Sequence, residues 1–207
     1  MKHYLSIDCA NKSLAIGLYS IKSDFVNELN YVVDNNIDVF DKHDSMSSLI
    51  EIKFLKVFDL TPNKKITDTD ILEKSIALKN VLSDIIELTN SLIGNEYELL
   101  VEYQMNVNDK SRCVYNQIIY EFIDKCPIHR MTPSKKNSIH LKPELSYGNV
   151  MNNSNSNYRC NKNHSKYNFL HFINSFNYTH LIKPLKKSNY DDIADTFMQL
   201  IAFLLNK

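Results

Sequence analysis

The segment YELLVEY at 97–103 constrains the fold more than any other stretch of the chain. A near-continuous apolar run of this length reads as a strand covered on both faces, because a strand with one wet face alternates apolar and polar residues. A doubly covered strand needs helices above and below its sheet, and the neighbouring sequence supplies them. From Thr69 to Leu92, apolar residues at Leu72, Ile76, Leu78, Val81, Leu82, Ile85, Ile86 and Leu88 recur at helical spacing, and the pattern stops near Gly94. Residues 111–124 (SRCVYNQIIYEFID) suit a second helix, PIHRM at 127–131 a short strand, and 166–175 a further helix. This order implies an α/β fold whose later strands are parallel.

The chain opens differently. HYLSID at 3–8 and LAIGLYS at 14–20 are β-prone runs separated by the polar turn CANKS, which reads as a hairpin. Runs at 25–33 (FVNELNYVV) and 51–60 (EIKFLKVFDL) complete a candidate antiparallel set before Pro62 breaks it. The stretch 149–163, NVMNNSNSNYRCNKN, reads as a polar, Asn-rich loop. The chain closes with a helix in which Ile193, Phe197, Leu200, Ile201 and Leu204 form one apolar stripe, and Ser188 precedes Asp191 by three residues as in a capping box. With 207 residues, 43% of them hydrophobic, residues 1–207 are expected to form a single domain around one core. No run of about 18 uncharged apolar residues occurs, and MKHYLSID has no secretory h-region. A soluble, intracellular protein with no membrane partner is expected. The scattered Cys9, Cys113, Cys126 and Cys160 fit thiols in a reducing compartment.

The formal net charge is zero, but the charge is unevenly spread. Residues 125–187 hold 11 Lys and Arg against one acidic residue, whereas residues 1–124 hold 12 against 20. Five of the seven histidines, His129, His140, His164, His171 and His180, fall in the same basic segment. Such a concentration suits a phosphate-facing surface, with Lys135, Lys136, Lys142, Lys162, Lys186 and Lys187 as expected contacts to a nucleic-acid backbone such as that of DNA.

Four acids stand where ordinary surface carboxylates would not. Asp8 and Glu102 each end an apolar strand, and a buried acid costs free energy unless it is paired or binds metal. Asp192 and Asp195 are three apart on a helix and therefore share a face, although acids in a first turn also complement the helix dipole. An oxygen-only set favours Mg²⁺ or Mn²⁺ over zinc, and a pair of such ions would activate water and steady the leaving oxygen of a phosphodiester.

These residues carry a resemblance. YLSIDCANKSLAIGL resembles the first motif of the RuvC-type Holliday-junction resolvases, in particular the poxvirus and giant-virus branch, in which an aspartate ends the first strand of a ribonuclease-H-like sheet. LLVEYQ resembles the second motif, with Glu102 as its acid, and PLKKSNYDDIADTFMQ the closing motif, with two aspartates three apart. VFDLTP at 57–62 and MTPSKKNSIHL at 131–141 look like connecting segments of the viral branch. Ala10 departs from the pattern, since many relatives have glycine two residues after the first aspartate. The resemblance implies a ribonuclease-H-like mixed sheet, antiparallel strands first and parallel strands after, flanked by helices. It implies a homodimer that nicks opposed strands of a four-way or otherwise branched DNA junction, with Asp8, Glu102, Asp192 and Asp195 holding two Mg²⁺ ions and Mn²⁺ able to substitute. Lys187, and after it Lys186, would lie near the attacking water or scissile phosphate. It also implies a viral protein acting in the infected cell, which the heavy use of Asn, Lys, Ile and Tyr suits.

Three rival readings stand beside this one. Cys126 with His129 and Cys160 with His164 have spacings that could each supply a zinc ligand pair, although His129 reads better as a sheet residue and His164 as a loop residue. A non-catalytic protein binding branched DNA on the same fold is the alternative function. Sugar-kinase-like or actin-like ATPases need glycine-rich phosphate loops, which this chain lacks.

Overall fold

The computed structural model describes residues 1–10, 12–61, 69–103, 109–133, 139, 141 and 157–206. Strand β1 (Lys2–Cys9) lies at the centre of a five-stranded sheet of order β3-β2-β1-β4-β5. It runs antiparallel to β2 (Ser13–Ile21), which pairs antiparallel with β3 (Ile50–Asp59). On the other side β4 (Glu98–Glu102) runs parallel to β1, and β5 (Ile128–Met131) parallel to β4. The helices are α1 (Ser23–Asp34), α2 (His43–Met46), α3 (Ile71–Ile93), α4 (Asp109–Phe122), α5 (Asn157–Ser175), α6 (Thr179–Ile182) and α7 (Tyr190–Leu205). The expected mixed sheet, antiparallel strands first, is therefore present.

Strand alternation divides the apolar residues between two cores. Leu5 and Ile7 of β1, Leu14 and Ile16 of β2, and Leu99 and Val101 of β4 pack beneath α3 and α4 through Leu78, Leu82, Ile118 and Phe122. Tyr4, Ala15, Tyr19 and Leu100 face the opposite way, onto α1, α5 and α7. Leu99, Leu100 and Val101 are all fully buried, as a doubly covered strand requires. Helix α3 starts at a capping box between Asp70 and Glu73 and stops at Gly94, whose φ of 77° favours glycine.

Helix α7 carries the stripe read from the sequence, with Ile193, Phe197, Leu200, Ile201 and Leu204 all buried. Phe197 packs with Phe172 and Phe169 of α5, at centroid separations of 4.6 and 5.9 Å. A polar seam fixes α7 to the sheet. Ser6 Oγ lies 2.8 Å from the Thr196 carbonyl oxygen and 3.1 Å from Gln199 Oε1. Thr196 Oγ1 donates to the Ile193 carbonyl at 2.8 Å, so the Tyr19 hydroxyl, 3.0 Å away, acts as donor to Thr196.

Four local expectations are corrected. Residues 25–33 belong to helix α1, because Phe25, Leu29 and Val32 recur at helical spacing and bury one stripe. Of the expected loop 149–163, residues 149–156 lie outside the described residues, and 157–163 form the start of α5. His164 is consequently a buried helical residue, not a loop residue. Ser188 does not cap α7: it sits in a 3₁₀ turn, Lys187–Asn189, and Asn189 precedes the helix without a side-chain cap bond. Among the described residues, no helix is long and apolar enough to cross a membrane.

Gly17 lies under the Tyr19 ring, and a Cβ there would stand 2.6 Å from Tyr19 Cε2 and Cζ. The ring is fully buried and hydrogen-bonded to Thr196, so it has nowhere to retreat. Gly17→Ala is expected to lower unfolding free energy by about 1–3 kcal/mol in urea denaturation. An unchanged midpoint would show that the ring has room.

Candidate active site

Alternation along β1 puts Asp8 on the face of Tyr4 and Ser6, toward α7, at 8% exposure. In the parallel pair Val101 lies opposite Ile7, so Glu102, the next residue and the end of β4, comes beside Asp8. Glu102 shares the face of Leu100, which is also the α7 face. Asp192 and Asp195 lie in the first two turns of α7. Ser13 Oγ, at the start of β2, donates to Asp192 Oδ2 at 3.0 Å and ties the β1–β2 hairpin to that helix. The ends of β1 and β4 and the N-terminal turns of α7 thus carry the four sequence-predicted acids.

A lysine joins three of them. The Lys162 ammonium, from α5, hydrogen-bonds Asp195 Oδ2 and lies 3.9 Å from Asp192 Oδ1. Burial pulls the Lys162 pKa down, but the charges of Asp195 and Asp8, the hydrogen bond to Asp195 and the charge of Asp192 outweigh it and hold the group above the ordinary lysine range. One turn further along α5, Lys166 Nζ stands 3.0 Å from Asp191 Oδ1. Lys162 and Lys166 are four apart, as are Asp191 and Asp195, so one helix face of lysines meets one helix face of aspartates. Sequence reasoning missed both the Lys162–Asp195 and Lys166–Asp191 pairs, because Lys162 falls in a stretch that reads as a loop, and it missed the part played by Ser13, which has no sequence signal.

The donor set is made of carboxylate oxygens, the chemistry that suits a hard divalent cation, and Asp8, Asp192 and Asp195 already act on a single cation. Among the described residues, no three His, Cys, Asp or Glu side chains stand together at metal-ligand spacing. The acids are instead arranged about the ammonium.

Lys186 and Lys187 are exposed, just before α7, and form no ion pair with a described residue. Lys135, Lys136 and Lys142 lie outside the described residues. Lys162, expected among the DNA contacts, has its ammonium turned inward to the acids. His129 is a sheet residue as expected: its Nε2 is 2.7 Å from Glu98 Oε2, and its ring lies 4.4 Å from that of Phe203. Cys160 and His164 stand one turn apart on α5, where His164 Nε2 is 3.4 Å from Asn168 Nδ2. The cysteines are free thiols. Burial pushes the Cys126 thiol up to about 11, against smaller opposing effects of the Leu99 backbone and Lys125.

Among solved structures, the chain is similar to the fowlpox virus resolvase in complex with substrate Holliday junction DNA. The TM-score is 0.58 at 16% identity, covering 99% of this chain and 97% of that chain. The Fowlpox virus Holliday junction resolvase gives 0.58 at 14% identity, covering 99% of each chain. Thermus thermophilus RuvC in complex with a Holliday junction substrate gives 0.52 at 9% identity, covering 97% of this chain and 91% of that chain. No family model matches the chain, and no curated protein matches it. At these identities the likeness shows the fold, which is the ribonuclease-H-like fold of the RuvC-type resolvases.

Because only the thiolate is reactive, alkylation of Cys126 should be slow at neutral pH and rise roughly tenfold per pH unit through pH 8–10. A rate that levels off near pH 9, followed by peptide mass spectrometry, would contradict the burial of this thiol.

Proposed function

We propose, from a chain with the fold of the RuvC-type resolvases, that this protein is a metal-dependent endonuclease resolving four-way and other branched DNA junctions. The single observation that carries the reading is the meeting of Asp195 and Asp192 with one ammonium, that of Lys162, on the face of the sheet where the ends of β1 and β4 set Asp8 and Glu102 side by side. Asp8, Glu102, Asp192 and Asp195 would hold two Mg²⁺ ions, or Mn²⁺ in their place. Bound there, the ions would supply Lewis-acid polarisation of a phosphodiester and a lowered pKa for water.

The chain's own residues prepare that chemistry. Asp8 and Asp195 are buried, so their negative charge acts through protein of low effective dielectric instead of being screened by solvent. Ser13 fixes one Asp192 oxygen, and the Ser6–Thr196 contact fixes the helix that carries Asp192 and Asp195. Such preorganisation matters because a site held in place before the reaction needs little rearrangement during it. Lys186 and Lys187 are exposed at the entrance to α7, where they would meet the phosphate backbone, with Lys187 near the scissile group. The basic segment 125–187 would extend that contact along the DNA arms. A homodimer would bring two such sites to opposed strands of one junction, and a viral origin accords with the fowlpox likeness.

A non-catalytic protein binding branched DNA is the weaker alternative. It gives no account of why Asp8 and Asp195 are both kept buried, where a carboxylate is costly unless paired or bound to metal.

The test is a gel assay with four-way, Y-shaped and linear DNA, with and without Mg²⁺. Cleavage should need the metal and prefer branched substrates; metal-independent or linear-preferring cleavage would overturn the proposal. Asp8→Asn should lower the nicking rate about 100-fold or more while leaving junction affinity nearly unchanged, because it removes a ligand charge and no phosphate contact. Wild-type nicking by this variant would contradict the assignment. Binding measured by fluorescence anisotropy should weaken by about 10³-fold or more between 50 and 200 mM salt if six or more phosphates are contacted. A flat response would move the DNA surface elsewhere.

A further inference from the structure

Lys162 is the cation that the described part of the structure places among the acids. Its ammonium hydrogen-bonds Asp195, whose side chain is 4% exposed, and stands 3.9 Å from Asp192. A second lysine on the same helix, Lys166, pairs with Asp191, away from this cluster. The two lysines therefore differ in kind. Lys166 joins a half-exposed pair between helices, whereas Lys162 is three-quarters or more buried and brings positive charge to the carboxylates of Asp195 and Asp192.

Two requirements meet at this point. Carboxylates that share one ammonium, one of them buried, are stabilised in the folded chain by that counter-charge. Divalent ions held by Asp8, Asp192 and Asp195 would need the same oxygens that face the ammonium, and positive charges do not share such a pocket without cost. Resting on the proposed metal-dependent nuclease, we infer that Lys162 is a built-in counter-cation of the acid cluster: it stabilises the metal-free protein and must give up its pairing with Asp195 and Asp192 for a divalent ion to bind. Metal loading is then an exchange of one cation for another. The affinity of the site for metal is set partly by the strength of the lysine pairing, so Lys162 acts as a positioning residue that holds the acids together before the metal arrives.

The experiment compares full-length wild type with Lys162→Met, Lys162→Arg and Lys166→Met. Thermal unfolding is recorded first in EDTA and then across an MnCl₂ titration, with Mn²⁺ binding followed independently by electron paramagnetic resonance. Lys162→Met should unfold at lower temperature than wild type in EDTA. It should also bind Mn²⁺ at a concentration about fivefold to tenfold lower, as expected when a charge-assisted pair no longer has to be broken. Lys162→Arg, which keeps the charge, should remain near wild type in both readouts, and Lys166→Met should leave the Mn²⁺ midpoint unchanged. Asp195→Asn locates the binding: if wild type binds Mn²⁺ through Asp195 but Lys162→Met binds it equally or more weakly, the exchange is overturned while the metal site stands. If neither wild type nor Lys162→Met shows Asp195-dependent binding, the metal site itself fails and the exchange with it. Binding by Lys162→Met alone would support the exchange in its strongest form. Should Lys162→Met not fold in EDTA, Lys162→Gln gives the same comparison, since it keeps a polar stem without charge.

Discussion

Ser6, Tyr19 and Thr196 hold the last helix against the centre of the sheet, and the position of that helix determines where the acids meet. Ser6 faces the Thr196 carbonyl, and the Tyr19 hydroxyl donates to the Thr196 hydroxyl. Both contacts are fully buried, so an unmet partner would cost the full desolvation of a polar group. The aromatic packing of Phe197 on Phe169 and Phe172 supplies bulk contact, but it is less directional than hydrogen bonds. The polar seam fixes the register of α7 along β1, and Asp195 lies one residue before Thr196. Gly17 belongs to the same device, because only a residue without a side chain lets the Tyr19 ring lie where it does.

Electrostatics follow from that register. Once Asp195 is buried beside the end of β1, the cluster needs positive charge, and helix α5 provides it through Lys162. The ladder of Lys162 with Asp195 and Lys166 with Asp191 also explains why a segment as polar as residues 157–166 is helical. Within it the buried His164 has its Nε2 3.4 Å from Nδ2 of Asn168, one turn further along the same helix. The same lysines that give the segment its basic count are thus partly committed to the protein itself, while Lys186 and Lys187 remain exposed.

Much of this was legible in the sequence where periodicity and burial agree. The doubly buried strand at 98–102, the apolar stripe of α7 and the hairpin of β1 with β2 have patterns that only one arrangement satisfies. Asp8 and Glu102 could be placed because each ends such a strand. Helix α1 reads as a strand because Phe25, Val26, Tyr31, Val32 and Val33 are β-prone residues, and the helical spacing of Phe25, Leu29 and Val32 competes with that preference. The start of α5 is hidden for a different reason. Asn-rich composition signals a loop when its polar groups face water, and nothing in the composition reveals that Lys162 meets Asp195, 33 residues away in the chain. Ser188 had capping chemistry, but a 3₁₀ turn moved the helix start past it.

The proposed nuclease needs the acids at the ends of β1 and β4 and on the first turns of α7 to close around divalent ions. Crystals grown with Mn²⁺ and measured at a wavelength where manganese scatters anomalously would test it without relying on activity. Anomalous density is expected between carboxylate oxygens of Asp8, Glu102, Asp192 and Asp195, at roughly 2.0–2.4 Å, with the Lys162 ammonium withdrawn from Asp195. Manganese density elsewhere, or a fully occupied Lys162–Asp195 pair at saturating metal, would contradict it.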